Sequence, residues 1–469
     1  MKKASKGGHM RLKEARVGLF FHIVFELQTP LVLSTGDPEG DLDNTLDVSP
    51  DNRLCINGYA WSSLLRRALM RLETGASLAR VIGKFHRQQP DSMTLSPLWF
   101  RTSLVDLPGR CDRAGNVIQR PMGAARKGLL FVEEVAMAGL RLPMDCIFFL
   151  ETDTKSQEVE KNLEDALWVI ESGIENLGGG WSYGFGRLRV HRAYRKLLDF
   201  SKEEDRRKFA ALMTDPATLA LEERNRFKVP QTPNSSIALP WLEWKVEMGL
   251  QEGQLMAIHM DDPTLAVSSQ TSWPRYPDRF VFRTLRWNGN KNKSTSRVVI
   301  PGKALRQAFI ATQIERRLEA EGVSVCDPTT GLRVESKENP RPCLRCLWFG
   351  STERSGIVAV LDASVNKAQF ELLQRGQFCE HSRQNMHLFA EEYLKRGNFS
   401  VRILLDLSRK DCEGGKLEGY IDWLLRDLKK TEGPAGWYRI GANATCTGQL
   451  CVLEENITKR RIGGNDPHE

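Results

Sequence analysis

Apolar positions along the chain follow two different periods, and these periods predict a mixture of strands and helices. Residues 17–33 (VGLFFHIVFELQTPLVL) alternate as one or two half-buried strands do. Residues 61–72 and 163–177 instead place apolar residues three or four apart, which is typical of helices with one buried face. The chain is therefore predicted to have an α+β fold.

Between the second of these helices and a basic strand lies a glycine-rich loop, residues 177–190 (LGGGWSYGFGRLRV). Glycine tolerates positive φ angles and close backbone approach, so such a loop can direct N–H groups at phosphates. The order helix, glycines, strand excludes a dinucleotide fingerprint, which needs the strand first. The loop indicates a polyanionic ligand, and the alternative is a glycine-rich hairpin without any ligand.

The pattern of the first half recurs in the second half. A strand at 242–258, the sequence VVIPG at 298–302 and a helix at 303–316 parallel the first strand, LCING at 54–58 and the helix at 61–72. LLFVEEVAMAG (129–139) matches HLFAEEYLKRG (387–397), with Phe, Glu, Glu and Gly at identical spacing. A strand follows each copy, at 140–151 and 399–407, and a helix at 417–428 leads to a poorer glycine loop containing Gly441 and Gly448. We interpret the chain as an internal duplication.

Each half then reads as a split βαβ unit, so the sequence predicts two tandem ferredoxin-like (RRM-like) domains with inserted hairpins. The predicted boundaries are a tail at 1–16, a first domain at 17–226, a proline-rich linker at 227–240, a second domain at 241–458 and a tail at 459–469.

The composition indicates an acidic binding partner and predicts the cellular compartment. The net charge of +8 on 469 residues is modest, but residues 279–314 hold eight basic and no acidic residues, with Phe280, Phe282 and Trp287 among them. Rings beside cations suit bases and phosphates, and a solvated charged face is the alternative. Ten scattered cysteines, no apolar run of membrane-spanning length and no signal-peptide cleavage site predict a cytoplasmic protein that does not enter a membrane.

Three cysteines in the second half have metal-ligand spacing. Cys343 and Cys346 form a CxxC, and Cys326 lies 17 residues earlier. This spacing is typical of zinc, with Cys379, His381 and His387 as candidates for the fourth ligand. The alternative is a redox CxxC, but the βαβ context that favours one is missing.

The IPG-then-helix element (Ile300, Pro301, Gly302, with Ile56, Asn57 and Gly58 in the first half), the LFxxE element and the C-terminal glycine loop resemble the RAMP superfamily of CRISPR proteins. The resemblance is to the crRNA-binding backbone subunits of type III effector complexes, here as a tandem fusion like those of type III-D systems. Asn57 departs from the expected proline, and the second glycine loop has lost three glycines.

The resemblance implies a subunit that lies along crRNA and target RNA, beside a large polymerase/cyclase-like subunit, other backbone subunits and a small subunit. It implies thumb-like hairpins within residues 110–127 and 362–387. It also implies RNA contacts from the glycine loop, from the helix after each IPG element and from the first thumb: Gly178, Gly179, Gly180, Ser182, Tyr183, Gly184, Gly186, Ser62, Arg66, Arg67, Lys303, Arg306, Arg120 and Met122. A structural zinc in the second domain is common in this family.

The resemblance also implies cleavage of target RNA by a loop aspartate with a divalent cation, Mg²⁺ or Mn²⁺. The matching residues are Asp43, 13 positions before Ile56, and Asp278, 22 positions before Ile300. The alternatives at these loops are Asp41, Asp47, Asp261 and Asp262. Two other functions stay open: a non-catalytic scaffold of the same complex, and a crRNA-processing endoribonuclease, for which His191 is the candidate base near the glycine loop.

Overall fold

The fold is taken from a computed structural model of the whole chain. The structure describes residues 15–34, 43–72, 97–119, 124–150, 152, 154–221, 225–231, 241–250, 252–260, 278–326, 342–351, 354–378, 385–429 and 450–462.

The first half contains nine strands and three helices in its described residues. In chain order they are β1 (Val17–Leu27), β2 (Arg53–Ile56), α1 (Gly58–Met70), β3 (Leu98–Phe100), β4 (Ser103–Asp106), β5 (Arg110–Gln119), β6 (Ala124–Ala136), β7 (Arg141–Leu150), α2 (Thr154–Ser172), β8 (Leu188–Asp199), α3 (Glu203–Thr214) and β9 (Arg226–Phe227). Two 3₁₀ turns, Trp181–Tyr183 and Pro216–Leu221, precede β8 and β9.

The second half follows with β10 (Trp241–Leu250), β11 (His259–Met260), β12 (Phe280–Val281), β13 (Arg283–Asn288) and β14 (Lys293–Ile300). Helix α4 comes next; its α-helical segments Gly302–Ala304 and Thr312–Ala320 flank a π-helical segment, Leu305–Ala311. The remaining elements are α5 (Leu344–Phe349), β15 (Val358–Val360), β16 (Ala363–Phe378), β17 (Asn385–Asp406), α6 (Gly414–Lys429) and β18 (Leu450–Ile462).

The two main sheets share one strand order. In the first sheet β8, β1, β7 and β3 lie side by side, and in the second sheet β18, β10, β17 and β15 do. Counted along the chain within each half, both orders are 4-1-3-2. One long helix, α1 or α4, lies between the first two of these strands, and another, α2 or α6, lies between the last two. This is the antiparallel order of a ferredoxin-like sheet, and the fold class is α+β as the sequence predicts.

Helix boundaries differ from the sequence prediction where end signals outweigh periodicity. Helix α1 begins at Gly58 rather than at Trp61, because the Asn57 side chain accepts a hydrogen bond from the Ala60 amide and caps the helix. Helix α2 covers Thr154–Ser172 rather than 163–177, because Gly173 adopts a φ of +79° directly after it. The apolar residues beyond Gly173 are buried although they are not helical.

Both inserted hairpins form. Strands β5 and β6 pair with each other, and β16 and β17 form a second, longer hairpin. Arg120 and Met122 lie outside the described residues, as do Gly441 and Gly448 of the second glycine loop. Strand β18 runs to Ile462, so the tail predicted from residue 459 starts later, and Phe227, assigned to the linker, belongs to β9.

The halves share a hydrophobic core. The core under α1 and α2 includes Trp241, Phe282, Ala359 and Leu404 of the second half, all of them buried. Burial of apolar area is the main stabilising term in folding, so the two sheets are held as neighbours. Among the helices that the structure describes, none combines the length and the apolar character needed to cross a bilayer.

Candidate functional site

Asp43 is fixed to the strand that carries the first copy of the LFxxE element, which reads LFxEE in both halves (residues 130–134 and 388–392). Its amide donates to the Val132 carbonyl over 2.9 Å, and its Oδ2 accepts from the Val132 amide over 2.7 Å. One residue on, the Asn44 carbonyl accepts from the Glu134 amide. Asp43 itself is exposed, so its carboxylate is held in a defined place and faces solvent.

Asp278 is held in the same way in the second half. Its amide donates to the Ala390 carbonyl over 2.8 Å, and its Oδ2 accepts from the Ala390 amide over 2.6 Å. The next residue, Arg279, accepts at its carbonyl from the Glu392 amide. The pairs Asp43–Val132 and Asp278–Ala390 occupy the same place relative to the two LFxEE motifs, despite their different distances from the IPG element.

The second glutamate of each motif secures the loop behind the aspartate. Glu134 accepts from the Leu46 amide over 2.9 Å and pairs with Arg110 over 2.8 Å. In the second half Glu392 accepts from the Val281 amide over 3.0 Å and pairs with Arg283 over 2.7 Å. These glutamates are buried, and a buried carboxylate requires such partners.

The first glutamate of the first motif lies where the two halves meet. Burial raises the pKa of Glu133, and the charges of Lys303 and Arg113 oppose that rise. Arg113 sits opposite Glu133 in the hairpin and binds the Asp362 carboxylate over 2.7 Å. The other Asp362 oxygen accepts from the Gly302 amide over 2.8 Å, so a continuous polar network links the Asp43 strand to the start of α4.

Lys303, a predicted RNA contact, belongs to this network. Its ammonium lies 5.4 Å from the centre of the Tyr183 ring. Burial lowers the pKa of Lys303 to about 8, while the negative charge of Glu133 acts in the opposite direction. A half-buried lysine of this kind is a feature of functional sites as well as of structural networks.

The glycine-rich loop turns many of its amides inward. The amides of Gly179 and Gly186 donate to the carbonyls of Val32 and Pro30, and the Gly184 amide donates to Trp181. Gly184 and Gly186 are buried, whereas Gly178 and Gly179 are exposed and Ser182 is half-buried. The exposed part of the loop for an outside ligand is therefore the segment 178–180 with Ser182.

Packing explains the glycines at 184 and 186. Both have positive φ angles, +78° and +69°. A Cβ on Gly186 would lie 1.8 Å from the Leu177 carbonyl oxygen, and one on Gly184 would lie 2.7 Å from the Leu361 side chain. At these two positions glycine is required for close approach to other parts of the protein, and not for close approach to RNA as the sequence predicts.

Arg306 does not fit the predicted RNA contact. It is 4% exposed and its guanidinium donates to the Val358 and Phe349 carbonyls, which makes it part of the second half's interior. Burial lowers its pKa to about 10. Tyr183 is held beneath it, with the ring centre 5.5 Å from the guanidinium carbon.

Helix α1, which follows the first IPG-like element, has one predicted RNA contact that is exposed and one that is bound within the fold. Arg66 is exposed and Ser62 is half-buried in α1. Arg67 pairs with the buried Glu175 over 2.7 Å and donates to the Asn176 carbonyl, so it ties α1 to the glycine loop. Arg67 is thus committed to the fold, while Arg66 faces solvent.

Three cations of the basic run at 279–314 are paired with carboxylates. Arg279 pairs with Glu391, Arg283 with Glu392 and Arg286 with Glu26. Phe280 and Phe282 are buried core residues, so the interpretation of these rings as base-stacking groups is wrong. The exposed cations of this run are Arg279, which is paired with Glu391, and three in the β13–β14 hairpin: Lys291, Lys293 and Arg297.

The three cysteines do come together. The thiols of Cys326, Cys343 and Cys346 are buried and lie within 4.8 Å of one another. The thiol of Cys346 and the amides of Cys326 and Cys346 donate toward the Cys343 sulfur and lower its pKa to about 5. Buried sulfur ligands with thiolate character fit Zn²⁺. Cys379 and His381 lie outside the described residues, as does the side chain of His387.

Sequence reasoning did not assign a functional place to Glu133, nor did it bring Lys303 to Glu133. The signal for Glu133 was present, since the LFxEE motif that contains it occurs in both halves. No signal for the Lys303 contact exists in the sequence, because the two residues are 170 positions apart and meet only where the halves pack.

A family comparison accounts for the first half. A sequence profile of the RAMP superfamily, a family of CRISPR-associated RNA-binding proteins, matches residues 24–189. No curated protein matches the chain. The matched residues run from β1 into β8 and include α1, the Asp43 loop, the first hairpin and the glycine-rich loop. Over residues 24–189, the chain therefore matches the RAMP superfamily of CRISPR-associated proteins.

Proposed function

We propose that this protein is a tandem, crRNA-binding backbone subunit of a type III CRISPR effector complex that cleaves target RNA at Asp43 and at Asp278. The observation that carries the proposal is the identical anchoring of these two exposed carboxylates on the LFxEE strands. A loop that is merely solvated does not require the same two hydrogen bonds between an aspartate and the neighbouring strand in both halves. In this proposal the two domains, residues 17–226 and 241–462, are the two repeats of one tandem subunit.

The chemistry asks for few protein groups. In RNA the 2′-hydroxyl is an internal nucleophile, and cleavage requires its deprotonation and compensation of the charge that develops on phosphate. An anchored carboxylate serves either as the base or as a ligand of Mg²⁺ or Mn²⁺. Asp43 and Asp278 each keep one carboxylate oxygen, Oδ1, that is not used in the anchor to the strand.

Guide binding is assigned to exposed cations and glycines on three elements of the two halves. They are Arg66 on α1, the segment 178–180 and Ser182 of the glycine loop, and Lys291, Lys293 and Arg297 of the β13–β14 hairpin. Lysine and arginine contacts to phosphates dominate affinity for a nucleic-acid strand and make binding weaker as salt rises. Arg306 is left out because it is buried.

A non-catalytic scaffold is the second candidate, and cleavage assays with Asp43→Asn and Asp278→Asn separate the two. In the assembled complex with a matched target RNA and Mg²⁺, each single variant should lose one cut and keep the other, while assembly and guide content stay unchanged. Asp51→Asn is the matched control, since Asp51 is an exposed carboxylate in the loop just before Ile56. A double variant that still cuts at every position would leave the scaffold as the answer.

Zinc at Cys326, Cys343 and Cys346 is proposed as a structural element of the second domain. The soft, buried sulfur set fits this ion, and the cluster ties the segment around α5 to the end of α4. Such a metal contributes to folding rather than to RNA cleavage.

A further inference from the structure

One contact between the halves serves as a template for a contact with another protein. The 3₁₀ turn Trp181–Tyr183 of the first half packs against β15 and the start of α4 in the second half. The Tyr183 carbonyl oxygen lies 2.9 Å from the place of a Cβ on Gly302, and Gly184 lies against Leu361. The second sheet thus receives a glycine loop at its helix start and at the end of β15.

The corresponding place on the first sheet is defined by strand register. Both edge strands pair with the same stretch of their neighbours: Phe100 lies opposite Cys146, as Val360 lies opposite Ile403. The residue after each edge strand repeats the match, since the Arg101 amide donates to the Asp145 carbonyl and the Leu361 amide donates to the Arg402 carbonyl. Arg101 therefore corresponds to Leu361.

The helix starts correspond as well. A Cβ on Gly58 would lie 2.9 Å from the Phe100 carbonyl oxygen, and one on Gly302 would lie 2.2 Å from that of Val360. Gly58 thus matches Gly302, which makes Tyr59 the counterpart of Lys303. In the second half Lys303 lies over the Tyr183 ring of the incoming loop.

On the first sheet this place carries exposed apolar side chains. Tyr59 is 83% exposed at the start of α1, and Trp99 on the edge strand is 41% exposed. Met213, 40% exposed, is brought alongside because the Arg101 guanidinium donates to its carbonyl. Large rings that stand in water at a position covered in the sister domain indicate a surface that a partner covers.

Part of the surface is already filled by the chain itself. Gly18 is the register counterpart of Trp241, because it pairs with Phe149 as Trp241 pairs with Asp406. The Trp241 ring receives Trp181 at 5.8 Å, whereas Gly18 is covered by the Phe200 ring. An incoming loop therefore meets the first sheet at Tyr59 and Arg101 and not at the start of β1.

We propose that the surface formed by Tyr59, Trp99, Arg101 and Met213 binds the glycine-rich loop of a different protein built like the first half of this chain. The proposal rests on the proposed function in one respect, that the chain works among related subunits. The chain's own loop at Trp181–Tyr183 is not the occupant, because it is seated on the second half. The partner's loop presents a tyrosine- or phenylalanine-sized ring followed by a glycine, as Tyr183 and Gly184 do.

Site-directed photo-crosslinking tests this assignment in the full chain. p-Benzoylphenylalanine placed at Tyr59 is irradiated in intact cells that express the protein with its guide RNA and companion proteins, and the crosslinked peptides are identified by mass spectrometry. We expect a crosslink to a glycine-rich loop that precedes a basic strand in a companion protein. The same probe at Met70, which is 59% exposed at the other end of α1, should not give it. Crosslinks to RNA, to a second copy of this chain, or to nothing would overturn the proposal.

A charge substitution provides a second readout. Tyr59→Asp should lower the amount of that companion protein retained on the tagged chain by at least tenfold, while the guide RNA stays bound. Met70→Asp should change neither quantity. Retention of the companion by Tyr59→Asp at the original level would also overturn the proposal. Loss of guide RNA from the unmodified chain would count against the proposed function instead, and the crosslink at Tyr59 would still be scored on its own.

Discussion

The buried pair of Arg283 and Glu392 offers a quantitative test of how the Asp278 loop is held. Both side chains are almost fully buried, at 2% and 1% exposure, and their closest atoms are 2.7 Å apart. Glu392→Ala would leave the guanidinium buried without its carboxylate, which typically costs about 3–5 kcal/mol. It would also remove the acceptor of the Val281 amide, so the total lies toward the upper end of that range.

The equivalent change in the first half should cost less. Glu134 pairs with Arg110, whose side chain is 32% exposed, so water takes over part of the lost interaction when Glu134 is removed. We expect about 1–3 kcal/mol for Glu134→Ala, most of it from the orphaned Leu46 amide. Glu252→Ala is the control and should leave the free energy of unfolding unchanged, because Glu252 is exposed and its ion pair with Arg396 is long, at 3.9 Å.

Urea unfolding followed by tryptophan fluorescence measures these differences. The free energy of unfolding should fall in the order Glu252→Ala, Glu134→Ala, Glu392→Ala, provided that all variants unfold in a single transition of similar slope. A Glu392→Ala protein that loses no more stability than the Glu134→Ala protein would refute the reasoning. So would a Glu392→Ala complex that keeps full cleavage at Asp278 while its stability is much reduced, since the same carboxylate is argued to secure that loop.

Three further outcomes are expected. Lys303 has a folded-state pKa of about 8, below its ordinary 10.5, so below pH 8 the folded state bears the full cost of holding the charged ammonium. Lys303→Met removes this cost and should raise the free energy of unfolding at pH 7. The gain should shrink between pH 8 and 10.5, where the folded state holds Lys303 uncharged. Protein purified without chelators should contain about one zinc per chain by elemental analysis, and Cys343→Ser should lose it while Cys55→Ser does not. Gly186→Ala should cost about 2 kcal/mol or more, because its φ is +69° and the new Cβ would meet the Leu177 carbonyl, whereas Gly419→Ala in α6 has open space and should stabilise by roughly 0.5–1 kcal/mol; thermal unfolding compares the two.

Local patterns predicted most elements correctly because they are properties of short segments. Alternation at 17–33 marked β1, and the apolar face Leu64, Leu65, Ala68 and Leu69 marked α1. Helix α2 was misplaced because buried residues beyond Gly173 continue a helical spacing in backbone that is not helical. Periodicity reports burial, and burial is not restricted to regular structure.

What the sequence by itself determined is the α+β class, the repeated LFxEE and IPG-like motifs, the two candidate aspartates and the cysteine spacing. Only the tertiary structure decided which charges are available to a ligand. Arg283 and Arg306 read as part of a basic run, but folding places carboxylates or carbonyls beside them and removes them from water. The sequence shows which residues carry a charge, but the exposure of that charge depends on partners far along the chain, 109 positions away for Arg283 and 52 for Arg306. The glycine loop shows the same limit, since Gly184 is needed for a contact with Leu361 that exists only after the halves pack.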